Sequence, residues 1–201
     1  GAGPLADAFF VAFRIPNTFR RLFSEGTFNA AFVPSYSSVL DNKKKSQKFA
    51  NDIFTLLTIG LFFLVLVIEI MMPIFVFLIA PGFEGDYQKM ELAITLTRIT
   101  FPFLLFISLA SFFSAILNSH NKFAVASAAP IILNILLIGV LLFGKILNDQ
   151  LVYYLSYAVT ISGLLQLIFL YFFVKKHFSP KINLSFKIDN KVKLFFKKLL
   201  P

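Results

Sequence analysis

Four long apolar runs constrain this chain more than any other feature of its sequence. They cover about residues 53–80, 92–117, 123–143 and 151–174, and each could cross the roughly 30 Å hydrocarbon core of a bilayer as a helix. Their only charged residues are Glu69 and Arg98. Apolar residues make up 58% of the 201 and charged residues 14%, which excludes disordered chains and ordinary soluble domains. The sequence predicts an all-α, polytopic transmembrane helix bundle.

The segment 5–40 is apolar in parts but carries several polar residues. We interpret it as a fifth span that bends near Pro16. Whether it bends a second time at Pro34 is left open by the sequence. Residues 1–201 are then one transmembrane bundle that ends in a basic tail at 175–201. The polar residues of this span are Asp7, Arg14, Asn17, Arg20, Arg21 and Glu25.

Lysine distribution predicts the orientation of the five spans. One side would carry 13 lysines and the other only Lys89 and Lys145, so the lysine-rich side is predicted to be cytoplasmic. We call the opposite side the outer side. The chain would begin there, and we expect it to be a fragment of a longer protein, with a small five-span protein as the alternative. The 13 are Lys43, Lys44, Lys45, Lys48, Lys122, Lys175, Lys176, Lys181, Lys187, Lys191, Lys193, Lys197 and Lys198.

The charges of the first span point to a polar cavity rather than to lipid. A charge at the bilayer centre costs about 2.5–3.5 kcal/mol, so these residues should face protein or water. On a straight helix four of them fall within roughly 40° of one another, whereas Arg20 points away. Three arginines against two acids leave a positive excess, and arginine suits phosphate and carboxylate groups. The alternative is that these charges are interfacial or mutually paired. The four are Asp7, Arg14, Arg21 and Glu25.

The sequence contains no signal for covalent catalysis, a metal or a cofactor. Cysteine is absent, and the two histidines, His120 and His177, lie 57 positions apart. No zinc-protease, nucleophile-elbow or phosphate-loop motif occurs. The net charge of +9 lacks the basic, aromatic-interleaved surface of a nucleic-acid-binding domain. We therefore expect a protein that is not an enzyme, binds no nucleic acid and uses no cofactor.

Several sequence blocks resemble the MurJ (MviN) lipid II flippase family. The most specific are GAGPLADAFFVAFRIPN at 1–17, RRLFSEG at 20–26 and FVP at 32–34. Shorter blocks occur in order at 80–83, 97–102, 108–111, 115–118, 121–123, 129–130 and 133–134. The resemblance implies a fourteen-helix transporter with two lobes around a central cationic cavity, of which this chain would supply helices 2 to 6.

The resemblance also implies a function, a location and a site. Such a protein moves lipid II, the lipid-linked peptidoglycan precursor, from the cytoplasmic to the periplasmic leaflet by alternating access. It would reside in the bacterial inner membrane as a monomer, with lipid II and membrane lipids as its partners. Arg20 is the strongest candidate for substrate binding, whereas the helical wheel favours Arg21; we prefer Arg20 because Pro16 can rotate the second half of the span. The implied substrate-binding residues are Arg20, Asp7, Asn17 and Glu25, with Arg14 and Arg21 as basic neighbours.

Two alternative functions remain open. One is a flippase for another undecaprenyl-linked saccharide, or a multidrug exporter, of the same superfamily. The other is an integral-membrane lipid phosphotransferase, which would also present arginine to pyrophosphate. That enzyme would need further acids for a metal ion or a nucleophile near the arginines, and Asp7 and Glu25 alone are a thin basis for it.

Overall fold

The computed structural model describes residues 3–25, 27–147, 150–183 and 192, without the side chains at positions 15, 19–25, 27 and 145. Throughout these residues the regular elements are helical, and the predicted all-α class is confirmed. The α-helices are α1 (Pro4–Glu25), α2 (Thr27–Ser37), α3 (Lys43–Ile70), α4 (Met72–Ile79), α5 (Tyr87–Thr100), α6 (Phe103–Ser119), α7 (Phe123–Ala128), α8 (Ile131–Leu142), α9 (Gly144–Leu147) and α10 (Leu151–Val174). A short 3-10 helix, Pro81–Phe83, comes after α4.

Four helical segments of the described chain are long and apolar enough to cross a membrane. They are Lys43–Ile70, Tyr87–Ser119, Phe123–Leu142 and Leu151–Val174. These segments overlap the four apolar runs of the sequence. The polar segment 5–40 instead forms α1 and α2. Its crossing of the membrane, like the boundaries of the five spans, stays a prediction.

Prolines mark the places where one span is divided into two helices. Pro73 lies in the first turn of α4, directly after α3 ends, while Pro102 and Pro130 immediately precede α6 and α8. Proline has no N–H to donate and is best tolerated at the start of a helix. The helix assignments, in contrast, run without interruption through Pro16 in α1 and Pro34 in α2.

Helix α6 is the centre of the bundle. Twelve of its residues are buried, including Phe103, Phe112 and Ile116, which are fully inaccessible. Phe32 of α2 meets Phe112 edge to face, with 5.1 Å between the ring centroids. Such pairs favour one geometry beyond the area they bury. Edge-to-face aromatic contacts therefore position α2 against α6.

Helix α10 approaches α6 closely at Gly163. A Cβ atom built there would lie 2.6 Å from Cδ2 of Phe103 and 3.2 Å from Cβ of Phe106. Phe103 is fully buried. Only the missing side chain of glycine allows the two helices to pack at this distance.

Small residues place α1 against α5. Ala8 and Ala12 of α1 are fully buried beside Ala93 and Leu96 of α5. The Thr100 hydroxyl donates to the Ala12 carbonyl at 2.8 Å. A buried hydroxyl that bonds a neighbouring helix satisfies its polar group and fixes the register of the two helices. The face of α1 opposite these alanines is thereby turned away from α5.

A polar ladder joins α3 to the chain that comes after α10. Its rungs are the side chains of Gln47, Asn51 and Thr55, and we call residues 179–183 the strap. Backbone N–H groups of the strap donate to these side chains: Ser179 to Gln47 Oε1 at 3.4 Å, Lys181 to Asn51 Oδ1 at 2.8 Å and Asn183 to Thr55 Oγ1 at 3.0 Å. The Gln47 amide also donates to the Ser179 carbonyl. Four helical residues advance about 6 Å and two extended residues about 6.6 Å, so the two spacings match over three rungs.

Candidate functional site

Of the candidate polar residues whose side chains the structure describes, Arg14 lies on the outward face of α1. Ala8, Ala12 and Pro16 form its buried face, whereas Phe10, Arg14 and Thr18 are exposed. Asn17 is partly buried between the two faces. Arg14 therefore presents its guanidinium away from the packed interior of the described chain. An exposed guanidinium of this kind is suited to meet an anionic group.

Asp7 forms an ion pair that joins α1 to α5. The Lys89 Nζ lies 2.6 Å from Asp7 Oδ2, with side-chain exposures of 19% for Lys89 and 42% for Asp7. The same ammonium lies 4.4 Å from the centroid of the Phe83 ring, and the Asp86 carboxylate caps the first turn of α5 at the Lys89 N–H. The sequence places Lys89 in an outer loop and does not pair it with Asp7. This contact balances the negative charge of Asp7.

Three candidate residues have side chains outside the described part of the structure. Arg20, Arg21 and Glu25 belong to the last turns of α1, and only their helical backbone is described. The proposed roles of Arg20, Arg21 and Glu25 in substrate binding stay predictions from the sequence. The conflict between the helical wheel and the resemblance over Arg20 and Arg21 stays open with them.

Glu69 and Arg98 line one crevice between α3 and the α5–α6 span. The crevice has a volume of about 590 Å³ and otherwise apolar walls. Arg98 is exposed, whereas Oε1 of Glu69 is buried and accepts no hydrogen bond from any described residue. Their charges interact across the crevice. The sequence presents these residues as separate isolated charges, and only the packing of the spans brings them together.

His120 and His177 stack on each other at the lysine-rich end of the bundle. Their ring centroids are 4.2 Å apart with an interplanar angle of 24°. Tyr36 meets His120 edge to face at 6.1 Å. Burial, reinforced by the neighbouring His177, lowers the pKa of His120 below its usual range. The separation of 57 positions between the two histidines conceals this pair in the sequence.

Acidification is expected to destabilise the protein through His120. Below a pH of about 6.5 the unfolded chain takes up a proton that the folded ring resists, because its folded pKa is lowered. Stability should therefore fall as the pH drops from 7.5 to 5.5. His120→Phe, which can still stack on His177, should flatten this dependence in thermal unfolding at stepped pH. The control His177→Phe leaves a buried ring at position 120 and should keep most of the slope. An unchanged slope in His120→Phe would contradict the prediction.

A basic cleft lies at the start of α3. Its volume is about 790 Å³, and its walls include Lys43, Lys44, Lys48 and Lys181. Lys181 belongs to the strap, so the ladder brings a lysine of the chain after α10 beside the lysines of α3. Lysines that the sequence assigns to one side of the membrane are therefore neighbours in space.

Metal chemistry finds no support in the described residues. No group of three or more histidine, aspartate or glutamate side chains among them is arranged to hold a metal ion. The acids Asp7 and Glu69 instead face the cations Lys89 and Arg98. The described arrangement presents charged groups of both signs that can bind charged partners.

Comparison with known proteins identifies one family. The family model described as "Lipid II flippase MurJ" matches residues 1–201. A probable lipid II flippase MurJ of Rickettsia prowazekii is 39% identical over 178 residues, which are 88% of this chain and 35% of that protein. The lipid II flippase MurJ of Burkholderia cenocepacia is 38% identical over 168 residues, 83% of this chain and 33% of its own length. The chain spans about a third of the length of these curated relatives.

A solved structure shares the fold. It is described as lipid II flippase MurJ in an inward closed conformation, and it matches with a TM-score of 0.77 and 26% sequence identity. The match covers 99% of this chain and 41% of that structure. The polytopic helical class predicted from the sequence and the resemblance in its α1 block are both confirmed. The chain belongs to the lipid II flippase MurJ family.

Proposed function

We propose that this protein moves lipid II from the cytoplasmic leaflet of the bacterial inner membrane to the outer leaflet by alternating access. The observation that carries the proposal is the match of the family model to all 201 residues. The relative from Rickettsia prowazekii is described as a probable lipid II flippase MurJ and the one from Burkholderia cenocepacia as a lipid II flippase MurJ.

The main energetic barrier to this transport is the passage of the polar head group through the hydrocarbon core. Lipid II carries a pyrophosphate, sugars and a peptide, and each unpaired polar or charged group costs several kcal/mol in hydrocarbon. Arginine can replace water around a pyrophosphate with charge-assisted hydrogen bonds. A site that opens to each leaflet in turn then transfers the head group without covalent chemistry.

Helix α1 supplies the substrate-binding residues in this proposal. Arg14 is exposed on its outward face and offers a cation to the pyrophosphate. Asp7, held by Lys89, keeps a second cation beside α1. Asn17 adds hydrogen bonds to the polar head, and Arg20 contacts the phosphates with Arg21 and Glu25 as neighbours. We infer that the protein acts as a monomer, with its lysine-rich loops in the cytoplasm.

The proposal is tested with the protein expressed from its native gene and purified into vesicles. Fluorescent lipid II is placed in the membrane, and its exposure to an outside quencher is measured over time. We expect protein-dependent exchange between leaflets, and mass spectrometry should recover lipid II of unchanged mass. The exchange of a control lipid, which has the same hydrocarbon chain but a head group of one sugar phosphate, is measured in the same way. Comparing the two lipids distinguishes a lipid II flippase from a flippase for other saccharides. Absence of exchange, or conversion of lipid II to a new product, would contradict the proposal.

A further inference from the structure

The crevice of Glu69 and Arg98 lies on the exposed surface of the described chain. Its apolar wall consists of Phe62, Val65 and Leu66 of α3 together with Leu105 of α6. Phe62 and Leu66 are 53% and 44% exposed. An exposed apolar wall on a spanning helix is a surface on which an acyl chain can lie. The crevice therefore has the shape of a lipid site, with two charged groups at one place along it.

The charged pair lies close to the outer boundary of the hydrocarbon. The helical segment Tyr87–Ser119 has 33 residues and is about 50 Å long, roughly 20 Å longer than the hydrocarbon is thick. If the excess is shared between both sides, Arg98, about three turns from Tyr87, lies about 6 Å inside the outer boundary. A side chain of this length can reach the headgroup layer from there. Phospholipid phosphates are thus within reach of Arg98.

The two charges are separate rather than satisfied by each other. They form no ion pair within 4 Å in the described part of the chain, in contrast to Lys89 and Asp7. Oε1 of Glu69 receives no hydrogen bond from any described residue. A buried carboxylate oxygen of this kind calls for a donor, and a guanidinium in the same crevice calls for an anion. The ligand that satisfies both carries one positive and one negative group.

We propose that this crevice binds a zwitterionic phospholipid whose head group ends in a primary ammonium. Its phosphate accepts hydrogen bonds from the Arg98 guanidinium, its ammonium donates to the Glu69 carboxylate, and an acyl chain lies along the α3 wall. An anionic head group would place a second negative charge near Glu69. A trimethylated head group has no N–H to donate to it. The inference does not depend on the proposed transport activity.

The experiment compares lipids that differ only in the head group. The protein expressed from its native gene is placed in nanodiscs containing equal amounts of phosphatidylethanolamine, its mono- and dimethylated forms, phosphatidylcholine and phosphatidylglycerol. Retained lipid is measured by native mass spectrometry. We expect the primary ammonium form to be retained about tenfold over phosphatidylcholine, because one charge-assisted hydrogen bond is at stake. Retention should fall stepwise as N–H groups are replaced by methyl groups.

Two variants test which residue binds the ammonium of the head group and which binds its phosphate. Glu69→Gln should bring the preference over phosphatidylcholine close to one, and Arg98→Gln should lower the retention of all these phospholipids. Glu84→Gln, an exposed carboxylate of the outer loop, is the matched control and should behave as the wild type. Equal retention along the methylation series, or stronger retention of phosphatidylglycerol, would overturn the proposal. The series uses the wild-type protein, so this test holds even where a variant fails to fold.

Discussion

Arg20→Ala in the native gene is expected to abolish growth of cells that depend on this gene for the proposed transport of lipid II, whereas Arg21→Ala should support it. The substitution removes the guanidinium that we propose to pair with the pyrophosphate of lipid II in a water-poor cavity. Truncating one partner of such a pair costs about 2–5 kcal/mol, which is roughly 30-fold to 4,000-fold in binding. Arg20→Lys should restore part of the growth, because it keeps the charge but not the bidentate geometry.

The comparison of Arg20 with Arg21 also decides the register of α1 after Pro16. A straight helical wheel puts Arg21 with Asp7 and Arg14, whereas the family resemblance favours Arg20. Protein amounts in isolated membranes must be equal for both variants, so that growth reports activity and not insertion. Loss of growth with Arg21→Ala and normal growth with Arg20→Ala would reverse the assignment and support the straight helix.

Gly163→Ala is expected to destabilise the bundle more than any other single methyl group added at a described glycine. The new Cβ would lie 2.6 Å from the buried ring of Phe103 and 3.2 Å from Cβ of Phe106, so the two helices must move apart. Overpacking of this kind costs about 1–3 kcal/mol. The thermal unfolding midpoint in detergent should fall accordingly.

Gly139→Ala is the matched control, because a Cβ there meets nothing within 4 Å and the glycine also lies in a helix. It should leave the midpoint unchanged or raise it. Phe103→Leu in the Gly163→Ala background removes the crowded ring edge and should recover part of the loss. Equal midpoints for Gly163→Ala and Gly139→Ala would show that the close approach of α10 to α6 is not stabilising.

Sequence reasoning succeeds here where the signal is local. Runs of apolar residues predict the long helices, because lipid forces every span to satisfy its own backbone hydrogen bonds. Prolines such as Pro102 and Pro130 then fall between helices, as their missing N–H requires. The α1 block indicates the family by the resemblance of its residues, and its polar side chains are informative because charges in a predicted span are costly.

Pairing of distant side chains is the part of the structure that the sequence could not supply. Asp7 with Lys89 and His120 with His177 become neighbours only when helices pack. Gly163 shows the same limit, since a glycine in an apolar helix does not reveal that Phe103 fills the space beside it. A signal did exist for the shared crevice of Glu69 and Arg98, because a lone charge in an apolar span needs a polar partner, which a neighbouring helix or a ligand can supply.

The polar ladder has a consequence for how the chain threads the membrane. Gln47 and Ser179 are 132 positions apart, yet they bond directly, so both must lie on the same face of the bilayer. An even number of crossings has to separate them, and the four candidate spans between Lys43 and Val174 meet that parity. During synthesis the side chains of Gln47, Asn51 and Thr55 could bond the strap only after the last of these spans is inserted. The hydrogen bonds of the ladder can therefore form only in the correct topology. In a chain with one span missed or added, the strap would lie on the opposite side of the membrane from the start of α3.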